Sequence, residues 1–307
     1  MPSKTVTPAC RGPLTCLPEL CRVRSTLACR WPLALSSGLA QSATVALSAS
    51  GGRGPLAQSA TVALSASGGR GPLAQSATEQ AIAGFYDGIA GFYEAANSLL
   101  TFGLDRRWRS RAAKILKTLS PGAFTALDAC AGTGDFSIVL YKTYGGALKV
   151  TGVDMNRAML SKARSKTNKI EFVEAEAKSL PYAAGSFDLV TISFAARNLN
   201  LDRARMMEAL KEFRRTLKTG GVFMSLETTR PENPVISLLF RTYVKTAIGF
   251  LSLISPESRP SYAFLKNTIL NFYGADEFSA LLLEAGFKTA AHKVLCPGAV
   301  AVHTALK

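Results

Sequence analysis

The sequence is poor in histidine and in long apolar runs. Only two histidines occur among 307 residues, His292 and His303, and both lie near the C-terminal end. This scarcity excludes histidine-rich zinc sites and the His-Glu-x-x-His motif, so we predict no metal site. No stretch reaches about 18 uninterrupted apolar residues, so the sequence predicts no transmembrane helix.

Acidic residues are outnumbered by basic residues, 21 to 36, which gives a formal net charge of +15. Residues 1–78 contain seven basic residues and one acid, so part of this excess belongs to the N-terminal stretch. Such a balance suits an anionic surface, either lipid headgroups or nucleic acid. The sequence shows neither an Asp/Asn-Pro-Pro-Tyr motif nor a nucleic-acid-binding module, so we predict no nucleic-acid partner.

The cysteines show no metal-binding or disulfide pattern. Four of the six lie in the first 29 residues, at irregular spacing that matches no paired Cys-x-x-Cys site. Cys130 and Cys296 are far apart in the chain. We expect free thiols in a reducing, intracellular setting, where these two would behave as small buried hydrophobes.

An N-terminal extension precedes one folded domain. The hexapeptide Leu-Ala-Gln-Ser-Ala-Thr begins at Leu39, Leu56 and Leu73, a period of 17 residues. Ala, Ser and Gly offer little apolar area to offset backbone ordering entropy, so we expect residues 1–78 to be a disordered, low-complexity tail. Its start is compatible with a transit peptide, although prolines interrupt any amphipathic helix, and equally with an extension of no function. Residues 79–307 are predicted to form the domain.

Short β-branched or apolar runs alternate with helical periodicity in this domain. The alternation is typical of βαβ units and predicts a Rossmann-like, doubly wound α/β fold with a mostly parallel seven-stranded sheet. Ligands bind such sheets at the carboxyl ends of the strands. The last two strands are joined by Pro297-Gly298, too short for a parallel crossover, so they should form an antiparallel hairpin. The predicted strands are 125–129, 149–154, 170–174, 187–193, 222–227, 288–295 and 299–304.

A glycine-rich loop is the strongest local signal. Residues 127–135 read Leu-Asp-Ala-Cys-Ala-Gly-Thr-Gly-Asp and run from a predicted strand into a helix. Gly132 and Gly134 allow a sharp turn and let a ligand lie against main-chain N–H groups. A dinucleotide motif needs a third glycine where this chain has Ser137, so nicotinamide binding is disfavoured. Asp154 ends the next strand, where a carboxylate accepts hydrogen bonds from both ribose hydroxyls of a nucleoside.

The loop, the strand-end acids and the block Ser-Phe-Asp-Leu-Val-Thr-Ile-Ser at 186–193 resemble class I S-adenosylmethionine-dependent methyltransferases. Asp128, Asp135 and Asp154 would also serve as simple helix caps, but the combined pattern favours the cofactor. The resemblance implies that Asp154 holds the ribose, that the two glycines line the methionine part and that Glu176-Ala177 lies at the adenine edge. The implied cofactor-binding residues are Asp128, Ala131, Gly132, Thr133, Gly134, Asp154, Met155, Glu176, Ala177 and Ser193.

Further blocks resemble one family, the ubiquinone/menaquinone-biosynthesis C-methyltransferases. The resemblance spans about residues 80–305. It departs from the usual pattern at Asp105, where a histidine is usual, at Glu94, and at Cys130-Ala131, where small residues are often glycine. The matching blocks are Phe-Tyr-Asp-Gly-Ile-Ala at 85–90 with Tyr93, Arg-Arg-Trp-Arg at 106–109, Thr-Ile-Ser-Phe-Ala-Ala-Arg-Asn at 191–198 and Leu-Glu-Thr-Thr-Arg-Pro at 226–231.

The family resemblance implies C-methylation of a prenylated quinol ring, with demethylmenaquinol favoured over 2-polyprenyl-6-methoxy-1,4-benzoquinol because the domain is short. A quinol carbon is nucleophilic only when a neighbouring hydroxyl is partly ionised, and a phenol with a pKa of about 10 is mostly neutral at pH 7. We hypothesise that Arg197 stabilises the phenolate and that Asn198 orients the ring. Glu227 and Tyr93 are alternative acceptors of the ring proton, and Glu227 would equally be a buried partner of an arginine.

Two other function classes fit the cofactor loop. One is a small-molecule O- or N-methyltransferase, and the other is a non-catalytic, cofactor-binding partner in a quinone-synthesis complex. The sequence also leaves open a homodimer. We expect a cytoplasmic protein peripheral to the membrane, or a mitochondrial matrix protein if the N-terminal stretch is a transit peptide.

Two segments raise the question of membrane contact. Residues 234–255 are apolar, but Arg241 and Lys245 interrupt them, so we expect this segment not to span. It should either pack in the core or form a lid that admits a prenyl tail at a membrane surface. A basic cluster would contact lipid headgroups or simply form a solvated helix face, and it consists of Arg106, Arg107, Arg109, Arg111, Lys114 and Lys117.

Overall fold

The computed structural model describes residues 98, 100–254 and 258–307. The predicted tail, the N-terminal family block and Tyr93 lie outside these residues. In chain order the elements are α1 (Leu104–Leu119), β1 (Thr125–Ala129), α2 (Asp135–Thr143), β2 (Lys149–Asp154), α3 (Arg157–Lys166), β3 (Glu171–Glu174), β4 (Phe187–Ser193), α4 (Ala196–Leu199), α5 (Arg203–Thr216), β5 (Leu217–Thr228), α6 (Pro234–Ile254), α7 (Arg259–Leu270), α8 (Ala275–Glu284), β6 (Thr289–Cys296) and β7 (Val300–Leu306).

The seven strands form one sheet in the order β3-β2-β1-β4-β5-β7-β6. Strands β1 to β5 pair in parallel, whereas β7 pairs antiparallel with both β5 and β6. The strand order reverses between β1 and β4, which creates the crevice where ligands bind in such sheets. The predicted doubly wound α/β fold with an antiparallel C-terminal hairpin is therefore confirmed.

The strand boundaries agree closely with the sequence pattern. Strands β1, β2 and β4 have the predicted bounds. The largest difference is in β5, which begins at Leu217 rather than at residue 222. Leu217 pairs with Phe187, and a register shift then separates this pair from the pairing of Leu189 with Val222. The apolar run alone gave no sign of the irregular first part of β5.

Two apolar clusters cover the two faces of the sheet. Side chains that alternate along a strand point to opposite faces, and in β5 Phe223 belongs to one cluster while Val222 and Met224 belong to the other. Helices α5 and α8 pack on the first face, where Phe213 and Phe278 are fully buried. Helices α1, α2 and α3 pack on the second. This arrangement holds the carboxyl ends of β1, β2 and β4 rigidly together.

Helix α6 is more exposed than a helix packed in the core would be. Its buried residues Val244, Ile248 and Leu251 cluster with Tyr262 and Leu265 of α7. The expectation that the segment packs in the core is wrong for most of its surface, because five large apolar side chains are exposed. By length and composition Pro234–Leu253 is sufficient to cross a membrane, with a mean hydropathy of 1.3, so Arg241 and Lys245 do not by themselves exclude a span. The exposed apolar residues are Val235, Leu238, Leu239, Phe250 and Leu253.

His303 in β7 is expected to make the stability of the domain sensitive to pH. Its side chain is fully buried against the ring of Phe278, and burial lowers its pKa from 6.5 to about 4. The unfolded chain therefore binds a proton that the folded chain does not, so the free energy of unfolding should fall as the pH drops from 6.5 towards 4, by about 2 kcal/mol at pH 5. Urea unfolding of the wild type and His303→Leu should show a flatter pH dependence for the variant. Parallel pH curves would contradict this origin.

Candidate active site

A pocket lies at the carboxyl ends of β1, β2 and β4, where the strand order reverses. It is lined by all of the predicted cofactor-binding residues except Gly134. Asn198 of α4 also lines it, whereas Arg197 and Glu227 do not. The lining residues that sequence reasoning missed include Arg109, Asp135, Asn156, Lys178, Leu201 and Arg205.

The loop after β1 brings main-chain atoms to the pocket through left-handed backbone. Cys130 has φ 53° and Gly132 has φ 55°, and Ala131 N donates to Val153 O at 2.9 Å. A Cβ added at Gly132 would meet no atom within 4 Å, so the space above this glycine is open. The loop is therefore a cradle in which a ligand approaches the backbone directly, as the motif predicted.

Gly134 has a different role from the one predicted. It is the left-handed N-cap residue of α2, with φ 77°. A Cβ here would lie 2.8 Å from Phe172 Cζ and 3.0 Å from Ala163 Cβ. Gly134 therefore permits close packing of α2 against β3 and α3, and it does not line the pocket. The motif signals a glycine but not which neighbour requires it.

Asp154 is fixed by backbone donors at the end of β2. Its Oδ2 accepts from Gly132 N at 2.8 Å and its Oδ1 accepts from Asn156 N at 2.9 Å. Burial raises its pKa above the ordinary value of 3.8, although the backbone N–H groups of Asn156, Gly132 and Met155 oppose the change. Each carboxylate oxygen has a second lone pair, so the group can still accept ribose hydroxyls. This pair of acceptor oxygens fits the ribose of a nucleoside.

The alternative that these acids only cap helices does not hold for Asp128 or Asp154. The N-cap of α2 is Gly134, and that of α3 is Asn156, whose side chain accepts from Met159 N.

Asp128 joins three elements beneath the pocket. It is 1% exposed and accepts from Ser137 Oγ at 2.6 Å and from Thr191 Oγ1 at 2.9 Å. Burial raises its pKa from 3.8 to about 6, although the two hydroxyl donors and the charge of Arg109 act in the opposite direction. β1, β4 and α2 are therefore tied together around one buried acid.

The predicted catalytic residues Arg197 and Glu227 meet in a buried ion pair. Arg197 Nη1 lies 2.7 Å from Glu227 Oε1, and the two side chains are 4% and 0% exposed. Glu227 also accepts from Thr228 N at 2.8 Å. Glu227 is thus the buried partner of an arginine, which was one of the two alternatives. Its pairing partner is on the one-turn helix α4 and precedes Asn198, which lines the pocket.

Cys130 packs against the apolar core, as expected of a small hydrophobe, but it is only partly buried and also lines the pocket. Burial, followed by the charges of Asp154 and Asp128, raises its thiol pKa well above 9.0. The thiol is therefore neutral at physiological pH. Among the residues that the structure describes, no three His, Cys, Asp or Glu side chains are grouped to hold a metal ion.

Comparison with known proteins identifies the family of the chain. The sequence profile of the ubiE/COQ5 methyltransferase family matches residues 74–307. The demethylmenaquinone methyltransferase of Staphylococcus aureus strain JH9 is 33% identical over 226 residues, which covers 72% of this chain and 91% of that protein. A solved S-adenosylmethionine-dependent methyltransferase from Thermotoga maritima has the same fold, with a TM-score of 0.50, 19% identity and coverage of 73% of this chain and 98% of that one. The chain therefore belongs to the ubiE/COQ5 methyltransferase family and is an S-adenosylmethionine-dependent methyltransferase.

Proposed function

We propose that this enzyme methylates a ring carbon of a prenylated quinol and prefers demethylmenaquinol to 2-polyprenyl-6-methoxy-1,4-benzoquinol. The observation that carries the proposal is the likeness to a demethylmenaquinone methyltransferase over 91% of that protein's length. The blocks at 191–198 and 226–231 support it, since they supply Asn198 to the pocket and the buried Arg197–Glu227 pair beside it.

The main contribution of the chain to this reaction is to orient two ligands, the cofactor and the quinol. S-adenosylmethionine, when bound, supplies a methyl group on a positively charged sulfur. The quinol carbon forms the new carbon–carbon bond while the sulfur–methyl bond breaks, and the ring then loses a proton to regain aromaticity. Asp154 holds the nucleoside, and Asn198 orients the quinol so that its ring carbon lies in line with the sulfur–methyl bond. Such orientation contributes about 7–11 kcal/mol to catalysis.

Arg197 is proposed to stabilise the quinolate oxygen. Its guanidinium is held by Glu227 and is therefore fixed before the quinol arrives, so no reorganisation is needed as charge develops. The opposite charge of Glu227 makes the electric field of Arg197 weaker than that of a lone cation. Because removing Arg197 alone would leave the buried charge of Glu227 without a partner, the informative variant removes both charges. Tyr93 is the proposed acceptor of the ring proton, because Glu227 is paired with Arg197, is fully buried and does not line the pocket.

The test is an assay of the purified full chain with S-adenosylmethionine and a panel of acceptors. Reduced demethylmenaquinol should gain one carbon-bound methyl group faster than the benzoquinol, while catechols and amines gain none. Mass spectrometry would measure the added methyl, and NMR would locate it on carbon. Faster methylation of the benzoquinol than of demethylmenaquinol would overturn the proposed preference. Methylated catechols or amines alone would indicate an O- or N-methyltransferase, and cofactor binding without any methylated quinol would indicate a non-catalytic partner.

We further propose that α6 and α7 contact an anionic membrane surface, where a prenylated quinol resides. The two helices contain no Asp or Glu but carry Arg241, Lys245, Arg259 and Lys266. The exposed apolar side chains of α6 accompany these charges, a combination that favours binding at a lipid interface. Because the buried side of α6 packs on α7, we propose a peripheral contact, with a cytoplasmic or mitochondrial matrix location.

Two acidic substitutions on α6 should weaken membrane binding. Leu238 and Phe250 are 65% and 61% exposed, so aspartate at both positions should not disturb the core. Burial of one such side chain contributes about 1.5–3 kcal/mol, so binding should fall more than about tenfold. Co-sedimentation with phosphatidylglycerol vesicles would measure it. Leu283→Asp, on the exposed side of α8, is the matched control and should bind like the wild type. Equal binding by all three proteins would refute the contact.

A further inference from the structure

Arg109 is a largely buried cation at the cofactor pocket with no role assigned by the sequence motifs. It lines the pocket together with Asp128 and Gly132, and its side chain is only 11% exposed. The basic cluster of α1 was expected on a solvated or lipid-facing surface, and Arg109 does not belong there. A charge removed from water must be compensated by partners of opposite charge. Its surroundings therefore indicate what it can bind.

The fold holds the guanidinium of Arg109 in one position. Nη1 lies 2.5 Å from Asp105 Oδ2, one helical turn earlier, and Thr101 Oγ1 donates to the other oxygen of Asp105 at 3.2 Å. Cζ of Arg109 lies 5.5 Å from the centre of the Phe194 ring, a cation–π contact. A guanidinium offers five N–H groups in a planar fork, and the fork fits a carboxylate through two parallel hydrogen bonds. Asp105 contacts only one end of this fork.

The order of the strands decides which part of the cofactor faces Arg109. Glu176 follows β3 and Asp154 ends β2, so the adenine and ribose belong on that side. Asp128 and Phe194 lie at β1 and β4, on the other side of the glycine loop. The amino-acid tail of S-adenosylmethionine extends from the ribose through sulfur and must lie on this second side. Its ammonium and carboxylate groups match the neighbouring Asp128 and Arg109.

We infer that Arg109 binds the α-carboxylate of S-adenosylmethionine and of the product S-adenosylhomocysteine, with Asp105 as its positioning residue. The inference rests on the cofactor that family membership gives and not on the quinol proposed as acceptor. Two parts of one ligand are thereby assigned to different residues. Asp154 binds the nucleoside, and Arg109 of α1 binds the amino-acid tail. Removal of one charged hydrogen-bonding partner costs about 1.5–3 kcal/mol, so an affinity change on the order of thirtyfold is expected.

The test compares ligands with and without the carboxylate by isothermal titration calorimetry. The full-length wild type should bind S-adenosylhomocysteine on the order of thirtyfold more tightly than its decarboxylated analogue, which keeps the nucleoside and the amine. Arg109→Gln should lose this difference, while its affinity for 5′-methylthioadenosine, which lacks the whole tail, stays within about twofold of wild type. Because Asp105 would then be left without its cation, Asp105→Asn/Arg109→Gln repeats the measurement with both charges removed.

Two further variants separate binding from structure. Asp105→Asn keeps the guanidinium without its anchor and should lose a smaller part of the discrimination, again with 5′-methylthioadenosine unaffected. Arg111→Gln, on the exposed side of α1, is the matched control and should retain full discrimination. A wild type that binds the decarboxylated analogue equally well would overturn the inference, as would equal losses for all three ligands in the charge-free double variant. Neither result depends on which quinol is methylated.

Discussion

Asp154→Ala is expected to lower the affinity for S-adenosylhomocysteine by about a hundredfold. Two hydrogen bonds from ribose hydroxyls to a carboxylate would be lost, at about 1.5 kcal/mol each. The substitution also removes the acceptor of Gly132 N and Asn156 N, so the loop after β1 would lose its attachment to the end of β2. Calorimetric titration of the folded variant would measure the loss.

Two variants make this result specific. Asp154→Asn keeps one acceptor oxygen and the size of the side chain, so its loss of affinity should be smaller than that of the alanine variant. Glu174→Gln is the matched control, because Glu174 ends β3 as Asp154 ends β2 but does not line the pocket. It should bind the ligand like the wild type. If Asp154→Ala binds as tightly as Glu174→Gln, the assignment of the ribose to Asp154 is incorrect.

Arg197→Ala is expected to lower the free energy of unfolding by about 3–5 kcal/mol, because it leaves the charge of the fully buried Glu227 without a partner. Arg197→Met/Glu227→Leu removes both charges and should be close to wild type in stability. Arg157→Ala breaks an ion pair in which Arg157 is 85% exposed, and this control should unfold like the wild type. Urea unfolding would compare the four proteins.

The double variant also tests the catalytic role of Arg197. If the guanidinium stabilises the quinolate, kcat should fall by about a hundredfold or more in a protein that is folded and binds S-adenosylhomocysteine normally. A double variant with the kcat of the wild type would show that the pair only holds α4 in place. The single substitution cannot separate these roles, since it changes stability and charge together.

Most of the sheet and much of the pocket could be predicted because their signals are local in the sequence. In a doubly wound sheet the central strands are covered on both faces, so they appear as short apolar runs between turn residues. This explains the correct bounds of β1, β2 and β4. The carboxyl ends of parallel strands meet at one edge, so the end of β2 placed Asp154 in the pocket, while Asp128 and Ser193 were implied by the family resemblance.

The missed features depend on contacts between distant segments. Arg109 reaches the pocket because α1 packs against the end of β4 at Phe194. A signal was nevertheless present: Asp105 and Arg109 are four residues apart and share a helix face with the buried Ala112 and Leu116. The exposed face of α6 had no such signal, because periodicity identifies an apolar face but not the element that covers it.

The backbone at Cys130 and Phe194 has a consequence for how this enzyme can adapt to heat. Both residues adopt left-handed conformations, φ 53° and 55°, which cost a side chain about 1 kcal/mol each and which glycine adopts freely. Hydrogen bonds on either side, such as Phe194 N to Leu226 O at 2.7 Å, keep them there. Glycine at position 194 would ease the backbone and remove the ring beneath Arg109. At position 194, thermal adaptation and cofactor recognition therefore compete.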